Sequence, residues 1–517
     1  MRKFNRLGFT AISLVMSLGL VLAGCGGGSN EPAAGSTTAP SASSASSGDA
    51  ASPTLDPVEL NLYFLAPQVK DVKLVEDEIN KITKAKFNAT VKLNFLFWDS
   101  YFDKQKLLIA SGDPIDLMFT AGWASYSQYV SQKAFLELDD LLDQYGQGIK
   151  DNINPAYLKA PKIDNKLYAI PTQKDMASIN GVLMNKELVD KYNFDLSTVK
   201  TPADFEPFLK VIKENEPDII PFLNKNDEGA TYWANDFMEP LDTKVPVVVT
   251  NRGEPEVMNM FENPKYVELV KLQRDWVQKG YINKDISTLQ DSTPLKKAKK
   301  AFMWVEQLKP GKAEEMEAQL GYPLVQVDAY ADLKPIATTG ALNGSMLAIP
   351  RSSKNPERAM MFINELFTNK ELMNLLAWGI EGKHYKKIGE NQIDYADGVD
   401  ATSSGYTGMA QWAMGGNQFL DYLWASEKPD KWDQFKAFNE SAEISPNLGW
   451  TFNAEPVKNE IATLKAVVTQ YNAAITTGTV DYDTYYPKMK TALERAGLQK
   501  VMDEVKKQLE AFKATNQ

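Results

Sequence analysis

From residue 58 onward, apolar residues recur every second position in some segments and about every 3.6 positions in the segments between them. Two segments of period two, at 58–64 and 91–97, predict strands. Between them Val72, Val75, Ile79 and Ile82 recur on one helical face. A second helical stretch ends at 107–110, before a short apolar strand at 116–120. Strand, helix, strand, helix, strand predicts an α/β unit with a mostly parallel sheet.

The same periodicities continue through the rest of the chain. They predict further strands at 179–185, 301–304 and 345–350. Asn355 and Pro356 are suited to cap and start a helix. Other predicted helices lie at 202–214, 264–279 and 295–301, together with one from Val457 to Ile475 and one from Leu498 to Phe512. The fold class expected from the pattern is α/β.

The predicted sheet indicates where a ligand would bind, because ligands of open parallel sheets lie outside the carboxyl ends of the strands. Trp98 follows the second predicted strand, and Trp123 and Tyr126 follow the third. Aromatic rings cover the C–H faces of sugars, and amide or charged side chains bind the hydroxyl edges. These three residues are therefore the first candidates for ligand contact.

Composition narrows the classes of function. The chain has 517 residues, 44% hydrophobic and 24% charged, which is ordinary for a globular protein of two or three domains. Its formal net charge of -11 argues against a nucleic-acid partner or an anionic membrane surface. One cysteine excludes an internal disulfide framework, and one histidine excludes a multi-histidine zinc site. No metal and no cofactor is expected.

The N-terminus has the pattern of a secretory signal. Arg2, Lys3 and Arg6 precede an uncharged apolar stretch at 7–21 that is short for a membrane span. The following Leu22-Ala23-Gly24-Cys25 resembles the bacterial lipobox, and the resemblance implies a signal peptide at 1–24 and a lipid on Cys25. Cleavage there removes three positive side chains, so the side-chain charge becomes -11 - 3 = -14.

Residues 25–57 are predicted to be a disordered tether. The segment consists almost wholly of Gly, Ser, Ala, Thr and Pro, and only Leu55 is a sizeable apolar residue. Such a composition cannot bury a core. A coil of this length spans about 30 Å, which would separate a lipid anchor from a folded domain that starts at 58.

Three motifs in the second half resemble family 1 extracellular solute-binding proteins. The first is Leu347-Ala348-Ile349-Pro350 followed by Ser353-Lys354-Asn355-Pro356-Glu357-Arg358-Ala359. The second, Gly379-Ile380-Glu381-Gly382-Lys383-His384-Tyr385, resembles a narrower, oligosaccharide-type lipoprotein subgroup with an uncharacterised C-terminal domain. The third is Ser445-Pro446-Asn447-Leu448-Gly449-Trp450-Thr451-Phe452, in which Trp450 stands where Phe is more usual. The resemblance covers essentially the whole folded chain.

The resemblance implies a two-lobed periplasmic-binding-protein fold of type II, with a ligand cleft between discontinuous lobes. We expect lobe 1 at 58–172 plus 340–395 and lobe 2 at 173–339 plus 396–517. It further implies the substrate-binding component of an ABC importer, a monomer on the extracellular face of the cell membrane. Hinge closure would capture an oligosaccharide, and the closed form would deliver it to the permease subunits.

Candidate ligand residues are aromatic residues in loop-like segments and charged residues near the expected lobe crossings. Lys174 and Asp175 follow the first expected crossing, and Glu381 lies in a glycine-bracketed loop. Each has a structural alternative, such as a core position or an ion pair, and His384 is expected to be structural. The candidate ligand-binding residues are Trp98, Trp123, Tyr126, Lys174, Asp175, Trp233, Trp304, Trp378, Glu381, Trp412 and Trp450.

Two other classes of function remain open from the sequence. With 67 acidic residues, a pair of catalytic carboxylates in a surface-anchored carbohydrate-active enzyme is not excluded by composition. A binding protein for a peptide or another polar solute is the other alternative. The absence of a recognisable catalytic constellation and the whole-chain resemblance favour a binding protein that is not an enzyme.

Overall fold

The computed structural model describes residues 55–98, 100–225, 229–242 and 244–516. Cys25, the predicted signal peptide and nearly all of the predicted tether lie outside these ranges. Within them, no helix combines the length and the apolar character needed to cross a membrane.

Nine strands build two separate sheets. They are β1 (Val58–Leu65), β2 (Ala89–Leu96), β3 (Leu117–Thr120), β4 (Ile170–Pro171), β5 (Ile179–Asn185), β6 (Ile220–Leu223), β7 (Ala301–Leu308), β8 (Leu324–Asp328) and β9 (Met346–Ala348). In the first sheet the order is β2-β1-β3-β9-β4, and in the second it is β8-β5-β7-β6. β1 pairs in parallel with β2 and β3 as predicted, whereas β9 is antiparallel to both of its neighbours.

Short strands outside these sheets form ladders of two or three strands. They are Lys162–Ile163, Lys166–Leu167, Met238–Pro240, Val247–Thr250, Val257–Asn259, Ile336–Ala337, Tyr385–Lys387, Gln392–Tyr395, Leu423–Trp424 and Glu443–Ile444.

The helices cover the sheets and form the C-terminal region. The longer ones are α1 (Val72–Phe87), α2 (Tyr101–Ser111), Glu206–Asn215, Pro264–Gln278, Lys312–Leu320, Pro356–Thr368, Lys370–Trp378, Lys431–Ser441, Lys458–Thr476, Tyr482–Arg495 and Leu498–Asn516. The shorter ones are Tyr126–Ser131, Asp139–Tyr145, Gln147–Asn152, Lys186–Lys191, Ala230–Ala234, Thr293–Lys297 and Thr339–Leu342.

Local chemistry explains where several of these helices begin and end. Asn88 and Gly112 adopt left-handed conformations directly after α1 and α2 and so end them. The predicted helix at 295–301 ends early, at Lys297, because Lys299 has a φ of 55°. Asn355 does precede a helix, yet its side chain makes no capping hydrogen bond.

Each sheet has its own hydrophobic core. Leu62 and Phe64 of β1 pack with Phe362 of the helix Pro356–Thr368 in the first core. Val182 of β5 packs in the second core, where Val501 and other residues of the C-terminal helices also lie. The expected α/β class with two lobes follows from this arrangement.

Three chain segments connect the two cores and run side by side. Ser178 and Ile336 exchange backbone hydrogen bonds of 3.0 and 2.9 Å. The strand Ile336–Ala337 also pairs in parallel with Glu443–Ile444. We call the segments 172–178, 329–345 and 442–457 the first, second and third crossing segments.

The residues of the two hydrophobic cores indicate in which lobe the chain after residue 396 packs. Tyr406, Met409, Met414 and Leu448 pack in the first core, and Val457 is in the second. This favours assigning the chain between 396 and about 448 to the first lobe rather than the second. The boundaries themselves stay a prediction.

Candidate functional site

Three tryptophans from distant parts of the chain meet at the carboxyl ends of β2 and β3. Trp98 follows β2, Trp123 follows β3, and Trp412 lies in a later loop. The ring centroids of Trp98 and Trp123 are 5.6 Å apart at an angle of 27°, and those of Trp98 and Trp412 are 5.9 Å apart. Trp98 is 43% exposed and Trp123 is 52% exposed, so a large part of each ring can meet a ligand. We call these residues the tryptophan platform.

Residues just before β9 hold the platform in place. The Nε1 of Trp123 donates to the carbonyl oxygen of Gly344 at 2.8 Å. The hydroxyl of Ser345 donates to the carbonyl oxygen of Trp412 at 2.6 Å. The buried ring of Phe119 packs beneath, with centroids 6.2 Å from Trp123 and 6.1 Å from Trp412. The orientation of the rings is therefore set by the first sheet.

The loop that carries Trp412 passes very close to β9. Gly415 has a φ of 77°, and a Cβ atom at this position would lie 2.2 Å from Cδ1 of Leu347. A side chain there would collide with the sheet, and its backbone conformation would be strained. Glycine thus allows the loop to bring Trp412 against Trp98 and Phe119.

Charged groups lie where the first crossing segment meets the end of β7. Lys174 and Asp175 form an ion pair of 3.3 Å, and Nζ of Lys309 is 4.0 Å from the same carboxylate. Burial by itself raises the pKa of Asp175, but Lys174 and Lys309 outweigh it and hold the pKa below its ordinary value. Asp175 is therefore an anion, ready to accept hydrogen bonds from hydroxyl groups.

Asp236 is a buried carboxyl group beside the start of β5 and was not among the candidates that the sequence indicates. The backbone N–H and the side-chain amide of Asn180 both donate to it, the latter at 2.7 Å. Burial raises the pKa of Asp236 to about 7. The start of β5 pairs with the end of β7, so this group also lies at the edge next to the crossing segments.

Three candidate residues are buried in cores. The hydroxyl of Tyr126 donates to the carbonyl oxygen of Pro161, and the ring is 1% exposed. Trp233 is also 1% exposed, stacks on Phe222 and donates from Nε1 to a backbone carbonyl. Trp304 is fully buried, with the ammonium group of Lys296 5.2 Å from its ring centroid. In this conformation none of the three presents a surface to a ligand.

Trp378 and Glu381 lie in a separate part of the first lobe. The ring centroid of Trp378 is 5.5 Å from that of Trp424, and both line a cavity of about 70 Å³. Glu381 is exposed and makes an ion pair of 2.8 Å with Lys387. In this conformation Glu381 therefore forms an ion pair, which was the alternative to a ligand-binding role.

Trp450 is partly buried and packs against the second core, with its ring centroid 6.3 Å from that of Phe452. The structure therefore brings Trp98, Trp123 and Trp412 together, and it separately pairs Lys174 with Asp175. It leaves the other candidates in cores or apart from the platform. Across the described ranges, no group of three or more His, Cys, Asp or Glu residues is arranged to hold a metal ion.

Comparison with known proteins gives matches along nearly the whole chain. Residues 68–373 match the family described as bacterial extracellular solute-binding protein. Residues 446–514, which cover all but the last two residues of the three C-terminal helices, match a domain of unknown function, DUF3502. A carbohydrate ABC transporter substrate-binding protein of Streptococcus pneumoniae serotype 4 is 31% identical over 526 residues, with 99% of each chain covered.

Three crystal structures of one solute-binding protein are similar in fold to this chain. The crystal structure of the N-glycan transport solute binding protein (NgtS) from Streptococcus pneumoniae matches with a TM-score of 0.80 and 27% identity, covering 89% of this chain and 100% of that one. The same protein in complex with Man1GlcNAc gives a TM-score of 0.70 at 27% identity, covering 88% and 99%. Its complex with Man5GlcNAc gives 0.66 at 28% identity, covering 89% and 100%.

Proposed function

The chain belongs to the bacterial extracellular solute-binding proteins, and on that premise we propose that it captures an oligosaccharide of the N-glycan class for an ABC importer. Members of this family are binding components of transporters, so family membership confirms the prediction that the chain is not an enzyme. The expected solute-binding-protein fold is confirmed as well.

The observation that carries the proposal is the tryptophan platform. At the carboxyl ends of β2 and β3, Trp98 and Trp123 present wide apolar faces to solvent, and Trp412 is partly buried beside them. Pyranose rings have apolar C–H faces that pack on such rings. The anionic Asp175 and the nearby Lys174 supply partners for hydroxyl groups.

The relatives support the same class of ligand. The 31% identical protein is a carbohydrate transporter component by name, and the structure at a TM-score of 0.80 is called an N-glycan transport protein. Two of its structures hold Man1GlcNAc and Man5GlcNAc. We extend this ligand class to the present chain because the matches cover nearly the whole length of both proteins.

Capture would proceed by hinge closure about the three crossing segments. These segments run side by side between two independent cores, an arrangement that lets one lobe rotate against the other. The TM-score against NgtS is 0.80 for one crystal structure and 0.66 for the complex with Man5GlcNAc. A change in lobe arrangement on binding would produce such a difference.

Delivery requires a permease, and we propose that a lipid on Cys25 keeps the protein beside it. The lipobox-like Leu22-Ala23-Gly24-Cys25 and the 25–57 segment support this assignment. A diacylated cysteine buries enough CH2 groups for stable anchoring, at about 0.8 kcal/mol each. The closed, glycan-loaded form would then present both lobes to the permease subunits at the extracellular face of the membrane.

The experiment that tests the proposed ligand class is a thermal-shift screen of residues 55–517 with glycans, peptides and free amino acids. At 100 times its Kd, a ligand adds about 2.7 kcal/mol to the free energy of unfolding. We expect Man1GlcNAc and Man5GlcNAc to raise Tm and to be recovered intact after overnight incubation. Stabilisation by peptides alone would replace the proposal with peptide transport, and shortened glycans would contradict a purely binding role.

A further inference from the structure

A groove of about 610 Å³ runs along the outer edge of β2. β2 is the edge strand of the first sheet, at the opposite end of the strand order from β4 and β9, which adjoin the crossing segments. Residues 93–96 of β2 form part of the groove lining, α2 contributes Lys104, Leu107 and Leu108, and the chain before α1 contributes Gln68. None of these groove residues is among the candidates that the sequence indicates.

Residues of α1 explain why the edge opens where it does. The side-chain oxygen of Asn80 accepts a hydrogen bond from the backbone N–H of Val91 at 2.6 Å. One turn earlier, Glu76 accepts from the N–H of Leu93 at 3.0 Å. One further turn toward the start of α1 is Val72, which lines the groove and has no polar atom in its side chain. Side chains of α1 therefore accept hydrogen bonds from the exposed backbone of β2 only as far as Leu93, and the groove begins there.

The opposite wall is a helix that leaves a large apolar side chain in solvent. The side chains of Tyr101 and Gln105 anchor α2 to the first sheet, because both donate to the carbonyl oxygen of Phe119, at 2.7 and 2.9 Å. Leu107 points away from this anchor and is 69% exposed. Leu107 lines the groove, so its exposed side chain is available to a ligand bound there.

The groove adjoins the tryptophan platform. Leu96 and Leu108 of the groove pack in one hydrophobic cluster with Phe102 and Trp412. Leu96 is only two residues before Trp98, so their Cα atoms are at most about 7 Å apart. The groove and the platform therefore share the end of β2 and one hydrophobic cluster, so a glycan that extends beyond Trp98 has groove residues close by.

We propose that this groove is a second subsite, which binds the sugar residues of a longer glycan that extend beyond the platform. The inference rests on the proposed function. The volume lies within the range of about 300–1,000 Å³ typical of small-ligand sites. Its lining combines the ring of Tyr63 and aliphatic side chains with Gln68, Asn94 and Lys104, whose polar groups can bind hydroxyls.

The test compares Leu107→Asp with Leu74→Asp, using Man1GlcNAc and Man5GlcNAc as probes in titration calorimetry. Leu74 is a matched control, since it is 44% exposed on α1 and does not line the groove. Both substitutions are at exposed positions, so the fold should persist, and equal circular dichroism spectra and Tm values would check this. Leu107→Asp should weaken Man5GlcNAc about tenfold, by removing an apolar contact, and leave Man1GlcNAc within about twofold.

The outcomes separate this inference from the proposed function. Equal affinities of Leu107→Asp and wild type for Man5GlcNAc would overturn the second subsite while leaving glycan binding intact. Equal weakening of both glycans by Leu107→Asp would also overturn it, because the groove would then not be specific for outer residues. Failure of the wild-type protein to bind either glycan would overturn the proposed function, and the subsite with it.

Discussion

The indole nitrogen of Trp123 donates a 2.8 Å hydrogen bond to the carbonyl oxygen of Gly344, 221 positions away in the chain. Gly344 belongs to the second crossing segment and directly precedes Ser345, which bonds the backbone of Trp412. Two of the three platform residues are thus tied to a segment that connects the lobes. Movement of the lobes about that segment would be transmitted to the rings that we propose as the ligand platform.

The first prediction concerns this hydrogen bond. Trp123→Phe keeps an aromatic ring but removes the N–H that donates to Gly344. We expect the Kd for Man5GlcNAc to rise roughly threefold to tenfold, which corresponds to about 0.5–1.5 kcal/mol for one lost hydrogen bond. Titration calorimetry of this variant beside Trp98→Phe checks it, because no described hydrogen bond involves the indole nitrogen of Trp98. Equal losses in the two variants would show that the hydrogen bond does not position the platform.

The second prediction concerns the buried carboxyl of Asp236. Burial raises its pKa from 3.8 to about 7, so the folded protein binds this proton more tightly than the unfolded chain. Its contribution to stability is then complete below the unfolded pKa and is lost as the pH rises through about 7. Between these limits the group lowers the free energy of unfolding by at most about 1.4 kcal/mol per pH unit.

Urea unfolding of the wild type and Asp236→Asn at several pH values between 5 and 8 tests this prediction. As the pH rises, the free energy of unfolding of the wild type should fall relative to that of Asp236→Asn, because asparagine does not titrate. Subtracting the two free energies at each pH removes the contribution of the other titrating groups, which both proteins share. Parallel profiles for the two proteins would mean that Asp236 is ionised throughout this range.

The third prediction uses the single histidine of the chain. Nδ1 of His384 accepts the backbone N–H of Ile380 at 2.8 Å, and Nε2 lies 3.3 Å from a carboxylate oxygen of Asp71. This pattern requires the neutral tautomer that carries its proton on Nε2. Burial lowers the pKa of His384, with the attraction to Asp71 in opposition.

Nitrogen NMR of His384 can follow this titration without any overlapping histidine signal. The midpoint should fall below 6.5, and the stability that the neutral ring provides should be lost as the pH falls from 6.5 through that midpoint. A midpoint at or above 6.5 would mean that the attraction to Asp71 outweighs the effect of burial.

The fourth prediction concerns anchoring. In bacteria that make the full chain, the wild-type protein should sediment with membranes and enter the detergent phase. Cys25→Ser should abolish lipid attachment, because Cys25 is the only thiol in the chain. Radiolabelled palmitate incorporation followed by fractionation checks both statements. Label in the Cys25→Ser protein, or none in the wild type, would contradict a lipid at this residue.

Much of the fold could be predicted because the apolar pattern was clear. The strand at 58–64 and the helix from Val72 correspond to β1 and α1, and the two long helices at the C-terminus correspond to Lys458–Thr476 and Leu498–Asn516. The helix Tyr482–Arg495 was missed. Its buried residues Tyr482, Tyr486, Met489 and Leu493 have helical spacing, but Pro487 lies inside the segment, where proline is normally unfavourable to a helix.

The candidate site was predicted in part. Trp98 and Trp123 could be identified because the carboxyl ends of parallel strands are recognisable from the sequence. For Trp233 and Trp304, only tertiary packing shows that the rings are buried. The groove beside β2 depends on how α1 and α2 flank an edge strand, and residue spacing within the chain carries no signal for such a relationship.

The most direct test of glycan binding at the platform is titration calorimetry of Man5GlcNAc with the wild type, Trp98→Ala, Trp98→Phe and Ile388→Ala. Ile388 is 51% exposed and lies outside the platform, so it controls for loss of an exposed apolar side chain. We predict one-to-one binding by the wild type and Ile388→Ala, and a loss of about 1.5–3 kcal/mol for Trp98→Ala that Trp98→Phe largely restores. Wild-type affinity in Trp98→Ala would contradict the account.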